Sequence, residues 1–171
     1  MPTRTSRGTT SDEPVWLDAQ ERAVWLSLTG VMFRLPAALD TQLQREAGLT
    51  YFEYLVLAIV SEQDGHVLRM SELARVTSAS LSRLSHVAKR LESAGLLRRE
   101  QDADDRRCTN AVLTKAGMKT VVAAAPDHVA EVRRLVFDGL SPAQLQQLRR
   151  ISDVLLDSIA PGSAGEPFRQ A

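Results

Sequence analysis

Between Ser80 and Ser93 the sequence sets hydroxyls, an imidazole and three cations at steps of three and four residues. That pattern suits hydrogen-bond donation to an anionic surface better than bond making. At 100° per residue, Ser82, His86, Lys89 and Ser93 fall opposite a stripe of Leu81, Leu84, Ala88 and Leu91, with Arg83 and Arg90 on its shoulders. Ser80 stands where a helix cap is needed, and the free backbone N–H groups behind it can meet a phosphate. Lys89 and Arg90 are suited to neutralising phosphates, whereas Ser82, Arg83 and His86 are candidates for the edges of bases. Arg83 could donate two bonds to a guanine, worth about 1–3 kcal/mol of discrimination. A second cluster lies in Asp102-Ala103-Asp104-Asp105-Arg106-Arg107. There the Asp105 carboxylate can hold the Arg107 fork by a charge-assisted pair, and Arg106 can contact a phosphate.

Catalysis is not expected. The three histidines, His66, His86 and His128, are scattered, with neither an HExxH nor a GxxxxGK[ST] pattern. His66 reads as a loop residue and His128 as part of a solvated helix face, and neither a metal nor a cofactor is expected. The single cysteine, Cys108, has no partner for a disulfide or a CxxC site, which fits a reducing cytoplasm. No apolar run of signal-peptide or membrane-spanning length follows the N-terminal residues. The net charge is zero, yet residues 69–119 hold 11 Lys and Arg against 6 Asp and Glu, leaving 10 against 15 elsewhere. A basic middle within an acidic frame concentrates the positive potential on one module, as duplex binding requires.

The elements that must position these residues follow from capping and periodicity. Asp18 with Glu21 opens a long amphipathic helix through Leu43, which Pro36 should kink or break near Leu35. Gly48 ends it, and Thr50 with Glu53 caps a second helix. After the Asp64-Gly65 turn, Val67–Arg69 reads as a short strand and Ser71–Val76 opens a third helix. Ser80 caps a fourth helix over Leu81–Ser93, ended by Gly95. Two strands over residues 96–101 and 108–113 form a hairpin, the wing. Thr114 caps a fifth helix, expected to be disturbed at Pro126, and Ser141-Pro142-Ala143-Gln144 opens a sixth. With 5% aromatic residues the core must be aliphatic. The expected fold is therefore mainly α with a small β-hairpin: a winged helix-turn-helix flanked by terminal helices.

Residues 71–117, SELARVTSASLSRLSHVAKRLESAGLLRREQDADDRRCTNAVLTKAG, carry Glu-Leu-Ala, then Arg-Leu-Glu-x-x-Gly-Leu, Asp-x-Arg and Leu-Thr-x-x-Gly in that order. In order and spacing this stretch resembles the winged-helix core of the MarR (multiple antibiotic resistance regulator) family. With the flanking helices, the resemblance covers roughly residues 17–159. It implies a single domain over residues 15–160 between flexible tails at 1–14 and 161–171, with the winged helix at about 50–117. The dimerisation helices would lie at about 17–47 and 118–159. It also implies a homodimer whose first and last helices interlock, gripping successive major grooves of a pseudo-palindromic operator in double-stranded DNA. The long apolar stripes of the terminal helices point the same way, because a lone winged helix cannot cover them.

Within that comparison Arg107 resembles the arginine that enters the minor groove. His86 stands where the family commonly has Arg, which implies a weaker or protonation-dependent contact. The implied function is a sequence-specific transcriptional regulator, a repressor relieved by a small aromatic or anionic effector held between the dimer helices and the winged domain. Trp16, Trp25, Arg34, Tyr51 and Tyr54 could line such a cleft, although core or anchoring roles are the stronger reading for them. Two alternatives stand beside it. One is an effector-independent architectural DNA binder. The other is a redox-responsive regulator acting through Cys108, whose thiolate the neighbouring Arg106 and Arg107 could favour; the family's peroxide sensors, however, carry their cysteine nearer the N-terminus.

Overall fold

The computed structural model describes residues 14–102 and 105–160. The tails expected over 1–14 and 161–171, Pro14 apart, lie outside these residues, as do Ala103 and Asp104 of the hairpin tip. By its internal packing the chain divides between Arg34 and Leu35 into two compact units.

The first unit is the opening of α1 (Ala19–Ala47). Asp18 Oδ1 accepts from the N–H groups of Gln20 and Glu21 at 2.7 and 2.8 Å, and Glu21 Oε2 accepts from Asp18 N at 2.8 Å. This reciprocal cap satisfies donors that no helical carbonyl can reach. The break expected at Pro36 does not occur, for α1 runs continuously through it to Ala47. A proline removes one intrahelical bond, and the bonds on either side suffice to keep the helix whole.

The second unit holds the core. Thr50 caps α2 (Tyr51–Ser61) in a capping box with Glu53. A short 3-10 turn follows, in which Gly65 adopts a φ of +64°, leading to β1 (Val67–Arg69) and α3 (Met70–Val76). The Thr77–Ser80 turn passes through a positive φ at Ser78 and delivers the chain to α4 (Leu81–Ser93). α4 ends in a Schellman motif: Gly95 N donates to Glu92 O and Leu96 N to Leu91 O, both at 2.9 Å, while Gly95 takes a φ of +72°.

The hairpin is β2 (Leu97–Gln101) and β3 (Thr109–Leu113), paired antiparallel from Leu97 with Leu113 to Gln101 with Thr109. β1 joins the other edge of β3, with Val67 opposite Val112, giving the order β1-β3-β2. The short strand expected at 67–69 thus completes a three-stranded sheet. Packed between sheet and helices are Leu43, Val56, Leu57, Val60, Leu73, Leu84, Leu91 and Leu97, each almost fully buried. Leu81, expected on the same stripe, is instead exposed. It is the first helical residue of α4 and borders an open groove instead of the core.

α5 (Lys115–Val132) is capped by Thr114, whose Oγ1 accepts from Gly117 N at 2.9 Å and donates to Gly95 O at 2.7 Å. Pro126 lies inside α5 without ending it. The irregularity comes later, as a π-helical turn over Arg133–Phe137. His128, expected on a solvated face, is half-buried. Its Nδ1 lies 3.3 Å from Gln42 Oε1, and its ring centroid lies 4.5 Å from that of Tyr54 and 6.0 Å from that of Tyr51. Ser141 and Gln144 form the expected capping box of α6 (Pro142–Ile159). Among the described residues no helix is long and apolar enough to cross a membrane.

Burial holds the His128 imidazole below its ordinary value of 6.5. The folded protein therefore binds a proton at this site less readily than the unfolded chain. Stability from this site is complete above about pH 6.5 and declines as pH falls from there through the lowered folded value. Thermal unfolding compared at pH 7.5 and pH 5.5 is expected to show a larger loss for the wild type than for His128→Gln. Equal losses would mean that the folded imidazole takes up protons freely.

Candidate nucleic-acid interface

The second helix of the helix-turn-helix begins with the Ser80 cap of α4. Ser80 Oγ accepts from Arg83 N at 3.2 Å. By helix geometry the N–H groups of Leu81 and Ser82 have no carbonyl partner and remain available to an anion. Ser82, His86 and Lys89 are all exposed on the face opposite Leu84, Ala88 and Leu91. Ser93, at the end of the same face, donates its hydroxyl to Lys89 O at 2.9 Å. The outward row expected from periodicity is thus present on one helix face.

The two shoulder arginines, seven residues apart and so nearly superimposed along the helix, have different surroundings. Arg83 lays its guanidinium over the Phe52 ring, 4.4 Å from the centroid. Arg90 forks onto Glu53, with Nε 2.5 Å from Oε1 and Nη2 2.7 Å from Oε2. Glu53 is only 2% exposed. Its Oε2 also accepts from Thr50 N at 2.8 Å and from Thr50 Oγ1 at 2.9 Å. Arg90, expected to face phosphates, is therefore engaged by a buried carboxylate at the start of α2. A buried carboxylate requires a charge partner, and that requirement ties one edge of the guanidinium to Glu53 while the side chain stays 61% exposed.

In the wing, Arg107 donates to Asp105 Oδ1 from both Nε and its backbone N, each at 3.1 Å. These bonds hold the Asp105 carboxyl below its ordinary value, the side-chain bond from Arg107 being the main cause. The Arg107 side chain remains 91% exposed despite the brace. Arg106 is also exposed. Cys108, half-buried, has its Sγ 3.6 Å from Asp105 Oδ2. An acid stands beside the thiol, and Arg107, to which the redox alternative looked, lines a groove together with Cys108.

Two supports went unforeseen in the sequence. Asp102 carries the foot of the wing: its Oδ1 accepts from Asp105 N and its Oδ2 from Asn110 Nδ2, both at 3.1 Å, and Arg69 Nη2 lies 3.4 Å from Oδ2. Glu92 on α4 takes three bonds from Arg99 on β2, through backbone N, Nε and Nη2 at 3.2, 3.0 and 2.8 Å. Arg99 thereby holds the Glu92 carboxyl below its ordinary value. Apart from the local bond from Asp105 N, these are contacts between elements, and no local spacing announces them.

Leu81 and Ser85 of α4 line one groove of ≈330 Å³ together with Arg99, Arg107 and Cys108 of the wing and Met70 and Ser71 of α3. The helix and the wing therefore present a joint surface. Of the aromatic residues named for an effector cleft, Tyr54 belongs to the core, Tyr51 packs partly buried against it, and Trp16 and Trp25 are exposed in the first unit. Among the described residues no group of three or more His, Cys, Asp or Glu could hold a metal ion.

Comparison with known proteins agrees with this architecture. The sequence model of the MarR family matches residues 49–109. Sco3205 of Streptomyces coelicolor, a MarR family transcriptional regulator solved in complex with DNA, is 40% identical. The match covers 92% of this chain and 98% of that one, with a TM-score of 0.84. AbsC, a MarR family transcriptional regulator from the same organism, is 41% identical over 90% of this chain and 100% of its own, with a TM-score of 0.79. The transcriptional repressor MprA of Escherichia coli is 26% identical over 112 residues. The chain spans 63% of the length of that curated relative. With two solved regulators matched over nearly their whole length at about 40% identity, the chain belongs to the MarR family.

Proposed function

We propose that this protein is a sequence-specific, DNA-binding transcriptional regulator that acts as a homodimer on a pseudo-palindromic operator, with residues 15–160 working as one MarR-like domain. The observation that carries this reading is the shared groove of α4 and the wing, with an outward donor row on one side and a braced, exposed arginine on the other. Ser82, Arg83 and His86 are assigned to base edges in the major groove. Ser80, Lys89 and Arg106 are assigned to phosphates, and Arg107 to the minor groove with Asp105 as its brace. Arg90 is assigned a structural part through Glu53. The DNA complex of Sco3205 supports this reading, as does the name of MprA for a repressor's role.

The dimer is supported by apolar surface that the single chain leaves uncovered. α6 has no buried residue, and Ile151, Val154, Leu156 and Ile159 are each more than half exposed. In the first unit Leu17, Val24, Trp25 and Val31 are likewise exposed. Apolar stripes of this extent mark association surfaces.

Operator selection from genomic fragments, followed by salt titration, tests the reading. Arg83→Ala is expected to relax preference at one base step by about 10-fold. Arg107→Ala is expected to weaken operator binding by about 10-fold and, because a cation is lost from the minor groove, to lower the salt dependence as well. Failure of the wild type to select any sequence over competitor DNA would reject the reading.

We further assign repression relieved by a small aromatic or anionic effector, in a cytoplasmic setting and without catalysis. A rise in Tm with phenolic or carboxylic acids at millimolar concentration would support the effector, and no shift with any of them would favour an architectural binder.

A further inference from the structure

The first turn of α2 makes two contacts with the reading helix. Phe52 and Glu53 are consecutive residues, and each takes one of the two arginines that share a face of α4. The contacts differ in what they leave free. On Arg90, the Glu53 carboxylate occupies Nε and Nη2 together, so that edge of the fork is taken by the protein. On Arg83, the contact is with an aromatic ring, its Cζ lying 4.4 Å from the Phe52 centroid. No acceptor among the described residues takes the N–H groups at its edge. A guanidinium held over a ring, with no carboxylate on its fork, keeps N–H donors for a second partner, and a bidentate base contact uses such donors.

Phe52 is itself fixed. It is half-buried and packs against the core, and the residue after it is tied into the Thr50 capping box. The ring is therefore a rigid platform, and long arginine side chains lose much rotamer freedom when they bind without one.

We propose that Phe52 is a positioning residue for sequence readout. It holds Arg83 with its donor edge turned outward, while Glu53, through Arg90, fixes α4 against the same turn of α2. This inference rests on the regulator reading above and adds to it a determinant of specificity on a helix that need not touch DNA.

The test measures base preference at each operator position for the wild type, Phe52→Leu, Phe52→Tyr, Arg83→Ala and the Phe52→Leu/Arg83→Ala double variant, with Tm recorded for each. Phe52→Leu is expected to lose about 5-fold in preference at the base step that Arg83→Ala affects, with preference at other steps and the salt slope unchanged. Phe52→Tyr, which retains the ring face, is expected to keep the wild-type preference. The double variant should be no less selective than Arg83→Ala alone. A merely structural role for Phe52 would lower Tm and weaken binding evenly at all positions, which overturns the proposal. So does wild-type preference in Phe52→Leu, or an Arg83→Ala variant that selects normally. If the wild type selects no sequence at all, the regulator reading falls and this inference with it; selective binding by the wild type with no Phe52 effect removes this inference alone.

Discussion

Replacing Ile151 and Leu155 together by glutamate is expected to give a folded monomer whose operator affinity is lower by about 10²- to 10⁴-fold. Both residues lie on α6, Ile151 58% and Leu155 40% exposed, and neither contributes to the core cluster of the second unit. Two buried like charges on each side of a two-fold contact cannot be desolvated without partners, so dimerisation is lost while the winged helix keeps its packing. The loss in affinity follows from effective concentration. Two half-sites engaged by one dimer are bound with the second event intramolecular, and removing the link forfeits about 10²–10⁴ of the combined affinity. Light scattering reports the mass, circular dichroism the fold, and fluorescence anisotropy the affinity. A double variant that remains dimeric would place the association surface off this face of α6. A monomer with undiminished affinity would show that one winged helix suffices.

The second large effect concerns stability. Gly117 is buried in the first turn of α5, where an added Cβ would lie 2.1 Å from the Leu96 carbonyl oxygen and 2.8 Å from Leu113 Cδ1. In an open helix Gly→Ala would stabilise by about 1 kcal/mol through propensity. Here the clash is with backbone, which cannot rotate away. The Leu96 carbonyl also accepts from Thr114 N at 3.2 Å, so moving it costs a hydrogen bond as well. Gly117→Ala is expected to destabilise by about 1–3 kcal/mol net, read as a lower urea midpoint with an unchanged slope. α5 would have to draw back from the foot of β2, so the wing should loosen with it. A midpoint at or above that of the wild type would show that the first turn of α5 can shift freely.

These two cases bear on what could be read from the chain alone. Helix starts were legible because capping is local. Asp18 with Glu21, Thr50 with Glu53, Ser80, Thr114 and Ser141 with Gln144 each act on N–H groups within three residues, so order and spacing are sufficient. The outward row Ser82, His86 and Lys89 was legible for a similar reason, since a fixed 100° rotation sorts a helix into faces. The pairing of Asp105 with Arg107 spans two residues and needs nothing beyond the turn that holds them.

What tertiary structure alone decided begins where two elements meet. Arg83 and Arg90 are equivalent on a helical wheel, yet one lies over Phe52 and the other reaches Glu53, 37 residues away. The second pairing gives a buried carboxylate to a cation that local reasoning had offered to phosphate. His128 read as solvated because its neighbours in sequence are mixed, but Gln42, Tyr51 and Tyr54 come from other helices to cover it. Pro36 read as a kink or break and Pro126 as a disturbance from their own chemistry, whereas the helices continue through both.

The motifs behind the family resemblance sit between these cases. In Arg-Leu-Glu-x-x-Gly-Leu, spacing alone places the glycine after the helix. Only the packed structure shows Arg90 on Glu53, Leu91 in the core, Glu92 on Arg99 and Gly95 at a φ of +72°. In Leu-Thr-x-x-Gly, the cap by Thr114 is local, but the glycine is required by the Leu96 carbonyl of a different element. The division has one physical origin. Backbone hydrogen bonding and helical rotation act over three or four residues and are written in order, whereas burial, desolvation and close approach depend on partners that folding brings from far along the chain.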